Sequence, residues 1–452
     1  MKKIVFVIIF AILLTSCSTQ KPIKLPKIAL PATKDNNTLV DTSWWRLFGD
    51  RQLSKLINSA LKNNDNLLIA KQRLKEAQML YSISQSNLYP SIDLSASFSR
   101  NKYPKYTRKP ISNSYSTSAV FTYNPDFFGK LTSLKQASFE RFLAQKEQLR
   151  SVKLNITQSI SNSYIDLCLT EKLLNINRKI SKAAEDLNTI NKKLLKAGLI
   201  AQTELNNSAI FLLNTKQSLQ SLLLTKKIEL SGLAVLLGKN PKEMFDFNIN
   251  CSKLPEPIQP PAFLPSEVIK KRPDIMAAEK NLLASGFDFK AKERELFPSI
   301  TLTTETGFNS AKLNKLIRPD SEFFSIALQL IEHLFSFGKV SKQIKLAKLK
   351  QKEAALIYIK TIKEAFKEIH DCLQNLKTTK QNLKNQQAIL KNQQAILNTI
   401  IKKYTIGLAN KSELLKGQIS YLKQLQNTET LKAQYIKALV NLYVALGGGW
   451  KQ

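Results

Sequence analysis

Between Phe128-Gly129 and Gly198 the chain reads KLTSLKQASFERFLAQKEQLRSVKLNITQSISNSYIDLCLTEKLLNINRKISKAAEDLNTINKKLLKA, residues 130–197, 68 residues without a glycine or proline. Those two residues are the strongest local breakers of regular structure, so the stretch predicts one helix of about 100 Å at 1.5 Å per residue. Ordinary globular helices end within about 20 residues. Phe337-Gly338 opens a second run of the same kind, Lys339 to Ile406, again 68 residues and again closed by a glycine, Gly407.

The two runs belong to a larger repeat. Pro90 and Pro298 lie 208 residues apart, and Gly129/Gly338, Gly198/Gly407 and Leu237-Gly238/Leu446-Gly447 each lie 209 apart. Four landmarks in step imply a tandem duplication, with a period too long for a solenoid repeat. The chain therefore divides into a signal peptide (1–16), a tether (17–43), a first repeat (44–238), a proline-rich connector (239–265), a second repeat (266–447) and a tail (448–452). Each repeat is read as a helical opening, a β-hairpin (91–123 or 299–332) and a long helical hairpin (130–237 or 339–446). The opening helices are expected over 44–88 and 266–296.

The hairpins show period-two alternation. Ile92, Leu94, Ala96 and Phe98 alternate with Asp93, Ser95, Ser97 and Ser99. Tyr115, Thr117, Ala119, Phe121 and Tyr123 alternate with serines and threonine, with Val120 the exception. The second hairpin repeats this with Ile300, Leu302, Thr304, Thr306 and Phe308, then Phe324, Ile326, Leu328 and Leu330. Segments of about ten residues with one apolar face mark membrane β-strands, and a soluble hairpin would look similar. Four strands cannot close a membrane barrel, and an open edge in lipid leaves N–H and C=O groups unsatisfied at several kcal/mol each. Strands pooled from several chains solve the problem, as does mutual packing for helices this long.

The N-terminus carries Lys2-Lys3, the apolar run Ile4–Leu14, then Thr15-Ser16-Cys17. That order is a secretory signal, and its apolar core is too short to span a bilayer. Leu14-Thr15-Ser16-Cys17 resembles a lipobox, which makes Cys17 the expected lipidation site. The formal charge of +34 raises nucleic acid as a partner. Only 11 of 68 basic residues are arginine and the lysines are spread along the helices without aromatic interleaving, so no nucleic-acid partner is expected. Cys168, Cys251 and Cys372, an odd number, are expected to be buried thiols, although an oxidising compartment permits a disulfide. His333 and His370 stand alone, and no spacing suits a metal, a phosphate or a catalytic constellation.

The ordered motifs Trp44-Trp45 with Phe48 and Asp50, Tyr89-Pro90-Ser91, Asp126-Phe127-Phe128-Gly129-Lys130, Lys271-Arg272-Pro273-Asp274-Ile275, Phe297-Pro298-Ser299, Leu334-Phe335-Ser336-Phe337-Gly338-Lys339 and Ala445-Leu446-Gly447-Gly448-Gly449-Trp450 resemble the TolC-like outer-membrane efflux proteins, in their lipoprotein branch of OprM and NodT type. The resemblance implies a mainly α, internally duplicated fold. It implies a homotrimer with a 12-stranded transmembrane β-barrel, four strands per chain, and a long periplasmic α-helical barrel. It further implies a lipid-anchored exit duct in the outer membrane that works with a periplasmic adaptor and an inner-membrane pump, with no enzyme activity and no cofactor. An exit duct of type I protein secretion shares the fold and stands as the alternative.

By the same resemblance, Glu204 and Glu413 match acids at the closed periplasmic entrance, where rings of carboxylates favour cations. Both also sit where a helix's first turn welcomes an acid, so a gate role and a capping role stand side by side. Tyr404 matches a gate aromatic, with packing as the alternative. Lys416 stands where relatives often carry Asp, and Ala409 where some carry Arg. Gly129 and Gly338 are read as the strand-to-helix swing, and Gly198 and Gly407 as the turns at the tips.

Overall fold

The computed structural model describes residues 40–41, 44–104, 106, 111–244, 270–332 and 335–450. In chain order these form β1 (Val40–Asp41), a 3₁₀ turn (Trp44–Phe48), α1 (Arg51–Asn63), α2 (Asp65–Ser86), β2 (Ser91–Lys102), β3 (Ile111–Tyr123), α3 (Lys130–Lys196) and α4 (Gln202–Leu236). The second half continues with α5 (Pro273–Glu293), β4 (Ser299–Ser310), β5 (Glu322–Ile331), α6 (Lys339–Thr405), α7 (Lys411–Ala445) and β6 (Gly449–Trp450). Helices α3 and α6 are both 67 residues and α4 and α7 both 35. The glycines that end them, Gly198 and Gly407, have φ of +70° and +79°. In each, the residue after the glycine closes back on the helix's last turn, Leu199 N to Leu194 O at 2.9 Å and Leu408 N to Lys403 O at 2.8 Å. That left-handed cap is open to glycine at little cost. Among the described residues, no helix is long and apolar enough to cross a membrane.

The chain divides into two compact units. One takes in Arg73–Lys146 and Ala277–Lys360. Its sheet is antiparallel in the order β2-β3-β4-β5. Asp126 starts α3, its carboxylate accepting from Leu131 N at 2.9 Å and Thr132 N at 2.7 Å. Gly129, at φ +73°, does more than let the chain swing: a Cβ there would meet the Arg294 guanidinium at 3.1 Å. Arg294 donates to the Gly129 carbonyl and the Ser133 hydroxyl, tying the end of the α5 segment to the first turn of α3. Phe128 stacks on Phe297 at 5.0 Å beside this tie.

The other unit comprises Ala29–Gln72, Glu147–Met276 and Thr361–Gln452. Its core includes Trp44, fully buried and stacked on Tyr443 at 5.5 Å, with Phe48, Leu53, Ile57 and Leu439. The helical opening expected over 44–88 is interrupted twice. Asp50 caps α1, its carboxylate accepting from Gln52 N at 2.8 Å and Leu53 N at 3.0 Å, and takes a third bond from the Tyr164 hydroxyl at 2.7 Å. Asn64 accepts from Leu67 N at 3.2 Å and donates to the Leu236 carbonyl at 2.8 Å, so one side chain serves the start of α2 and the end of α4. Side-chain capping offers the backbone an alternative to a continuous helix. The second opening helix, expected from 266, is observed as α5 from Pro273 to Glu293, followed by a 3₁₀ turn (Arg294–Leu296); residues 245–269 lie outside the described residues.

Arg272 is the ionic knot of this unit. It is 8% exposed. It donates to the Ala445 carbonyl at the end of α7, to Asp274 at 3.1 and 2.9 Å and to Glu368 of α6 at 2.7 Å. Two carboxylates and a carbonyl satisfy a guanidinium that burial alone would make costly. The expectation of buried thiols is corrected at one position: Cys168 is disulfide-bonded, while Cys372 on α6 is free. Cys17, Cys251 and His333 lie outside the described residues.

Candidate functional site

The sheet's register decides what the alternating strands do. Ile92 faces Phe121, Leu94 faces Ala119 and Phe98 faces Tyr115 across β2 and β3. Phe121 faces Thr304, and Tyr123 faces Leu302 across β3 and β4. Ile300 faces Leu330, Leu302 faces Leu328, and Thr306 faces Phe324 across β4 and β5. Directly opposed residues share a face, so the four apolar stripes merge into one band. From Ile92 to Phe98 the band runs about 20 Å along the strand at 3.3 Å per residue, as expected of one strand's share of an outer-membrane barrel's apolar band. It ends in Arg100 and Lys102 on β2. Leu94 is 86% exposed and Leu328 72% exposed in the single chain.

The opposite face is polar. Ser95 and Ser118 share a hydrogen bond of 2.9 Å, Ser97 and Ser116 one of 2.8 Å, and Ser114 donates to Asn309 at 3.1 Å. Val120 interrupts it between Asp93 on β2 and Glu305 on β4, its partners in register. Gly307 is forced by proximity: a Cβ there would fall 2.1 Å from the Thr117 carbonyl oxygen. β2 pairs only with β3 and β5 only with β4 among the described residues, so both outer strands keep a bare edge.

The second region is the pair of turns joining α3 to α4 and α6 to α7. Helices α3 and α7 pack here through Ile176, Ile180, Ala183 and Leu187 against Leu415 and Ile419, with Phe211 of α4 alongside. Gly417 on α7 brings α6 close: a Cβ there would lie 2.8 Å from the Ile400 side chain. The packing brings Lys416 to Glu204, Nζ donating to Oε1 at 3.1 Å. Both groups are exposed, 56% and 47%. The pair ties α7 to the first turn of α4. Glu413 is not drawn into it. It sits in the first turn of α7, with its own N–H donating to the Asn410 side chain at 2.9 Å. Tyr404 carries the Lys411 ammonium 5.4 Å over its ring. Reading the residues singly placed Glu204 and Lys416 at the tips but missed their pairing, since they are 212 residues apart and no local pattern links them.

Further up the same unit, charged pairs cross between helices. Lys437 of α7 donates to both oxygens of Asp166 on α3 at 2.9 and 2.8 Å, and Lys172 of α3 meets Glu429 of α7 at 2.8 Å. Glu229 of α4 accepts from the Thr170 hydroxyl at 3.0 Å, while its other oxygen is buried without a hydrogen-bond partner among the described residues. Burial, with Asp166 adding to it, pushes the Glu229 carboxyl up to about 7 against the pull of Thr170 and Lys437. Sequence gave no signal for this group, one glutamate among many on a helix.

In lipid such bare edges have to be paired, so this sheet is one share of a membrane barrel. The class that this fold defines is the outer-membrane channel. Sequence comparison agrees: the outer membrane efflux protein family matches residues 56–239 and 264–448, and the chain belongs to it. A probable outer membrane lipoprotein, SilC of Salmonella typhimurium, is 28% identical over 414 residues, 92% of this chain and 89% of that protein. The cation efflux system protein CusC of Escherichia coli is 26% identical over 455 residues, 98% of each. The outer membrane channel CmeC of Campylobacter jejuni superposes with a TM-score of 0.85 at 24% identity, covering 96% of both chains, a likeness of fold. The chain is an outer-membrane efflux protein, and members of its family are channels, not enzymes.

Proposed function

We propose that three copies of this chain form the exit duct of a tripartite efflux system. The two bare edges of the four-stranded sheet carry this reading. Three such sheets laid edge to edge close a 12-stranded barrel whose apolar band meets lipid and whose hydroxyl face lines water. The helical hairpins form the periplasmic tunnel. A periplasmic adaptor and an inner-membrane pump of the proton-driven resistance-nodulation-division type feed it, and a lipid on Cys17 anchors it. The cargo is small molecules, as the names of relatives such as the cation efflux protein CusC and the solvent efflux protein SrpC of Pseudomonas putida support.

The tips act as the gate. Lys416–Glu204 holds one hairpin to the other, and Glu413 and Tyr404 stand at the same turns. An exposed ion pair contributes about 0.2–1 kcal/mol, weak enough for a docking partner to break. Size analysis of the purified protein in detergent should give three chains, and planar bilayers should show discrete conductance steps. Lys416→Ala should raise the open probability. A monomer in detergent would refute the assembly. Unchanged gating in Lys416→Ala would refute the latch.

A further inference from the structure

The tips carry an unusual charge balance. Within two turns on either side of the two hairpin turns stand Lys192, Lys193, Lys196, Lys402, Lys403, Lys411 and Lys416 against Glu204 and Glu413, a surplus of five positive charges per chain. Glu204, an acid that would offer cations a site, is held by Lys416 in the same chain. Lys411 lies over the Tyr404 ring. The other five lysines are exposed, and none has a carboxylate partner among the described residues. The backbone does not offset them. Two helices end here and two begin, so two negative dipole ends stand beside two positive ones.

We propose that the entrance prefers anions, which makes anionic solutes, not metal cations, the charged cargo of the duct; this rests on the exit-duct reading above. At 1.5 Å per residue, every one of these lysines lies within about 12 Å of its turn along the helix, comparable to the Debye length of about 8–10 Å at physiological salt. Lysines on the side of a helix that faces the aperture act there most strongly, since those on the far side stand about 10 Å further off across the helix and are screened. A ring of like charge at a constriction concentrates counter-ions. The opposing acids on the hydroxyl face of the sheet are Asp93 and Glu305, two per chain.

The test is the reversal potential of single channels in a potassium chloride gradient. The expected sign is that of chloride preference, weaker at 1 M salt than at 0.1 M because screening shortens to about 3 Å. Replacing Lys192, Lys196, Lys402 and Lys403 together with Gln should move the potential toward zero, and with Glu should reverse it. The Gln set guards against loss of helix-end stability, and trimer size in detergent reports assembly. Failure of the wild-type trimer to conduct would overturn the duct reading itself. A conducting wild type that prefers potassium, or a chloride preference unmoved by either set in intact trimers, would overturn the anion preference and leave the duct standing.

Discussion

At the residue scale, a few polar side chains do work that their own neighbourhoods did not announce. Asp50 caps α1 and accepts the Tyr164 hydroxyl, whose pKa is pushed well above the usual range by burial first and by Asp50 second. Asp50→Ala removes the cap, at about 1 kcal/mol. It also leaves a buried hydroxyl unpaired, at about 1–3 kcal/mol. The trimer's thermal unfolding midpoint should fall clearly, whereas Asp50→Asn should keep most of the cap. Glu229 gives a pH signature. Its folded pKa, about 7, lies above the ordinary 4.5, so the folded chain holds the proton longer than the unfolded one. The contribution of this group to stability therefore declines as pH rises from 4.5 through 7, and the penalty is complete above that. Glu229→Gln should flatten this decline, read as unfolding midpoints at pH 5 and 7.5. A parallel pH profile in the variant would exclude Glu229 as its source.

At the element scale, the sheet is the sharpest object. Its two faces differ in chemistry, so substitutions should separate them. Leu94→Arg and Leu328→Arg place a charge on the apolar band, and near the bilayer middle each should cost about 2–4 kcal/mol. Ser97→Arg, on the hydroxyl face, should fold normally and change conductance instead. Urea unfolding of vesicle-inserted protein checks the first pair and bilayer recording the second. Equal damage from both faces would refute the assignment of lipid and water. The helical hairpins are set by glycine at their turns. Gly407→Ala, at φ +79°, forces a β-carbon into a left-handed turn at about 1–2 kcal/mol. It should lower the midpoint by a few degrees without changing the far-ultraviolet helix signal.

At the scale of the whole molecule, the chain exposes an apolar sheet face and, among the described residues, two bare edges; pairing with further copies satisfies the edges, and lipid covers the face. Much of this was legible in the sequence. Unbroken 68-residue runs point to helix, and their 209-residue spacing implies that the two halves form the same elements; α3 and α6 start 209 residues apart, as do α4 and α7. Alternation fixed the strands, because successive side chains on a strand must point to opposite faces. Tertiary structure alone decided the rest. The register put four apolar stripes on one face, since a slip of one residue would have put any of them on the other. It paired Lys416 with Glu204, buried Arg272 among Asp274, Glu368 and Ala445, and bonded Cys168 in a disulfide. Periodicity along a chain reports which residues share a face; which residues from distant segments meet there is set by packing between helices and strands.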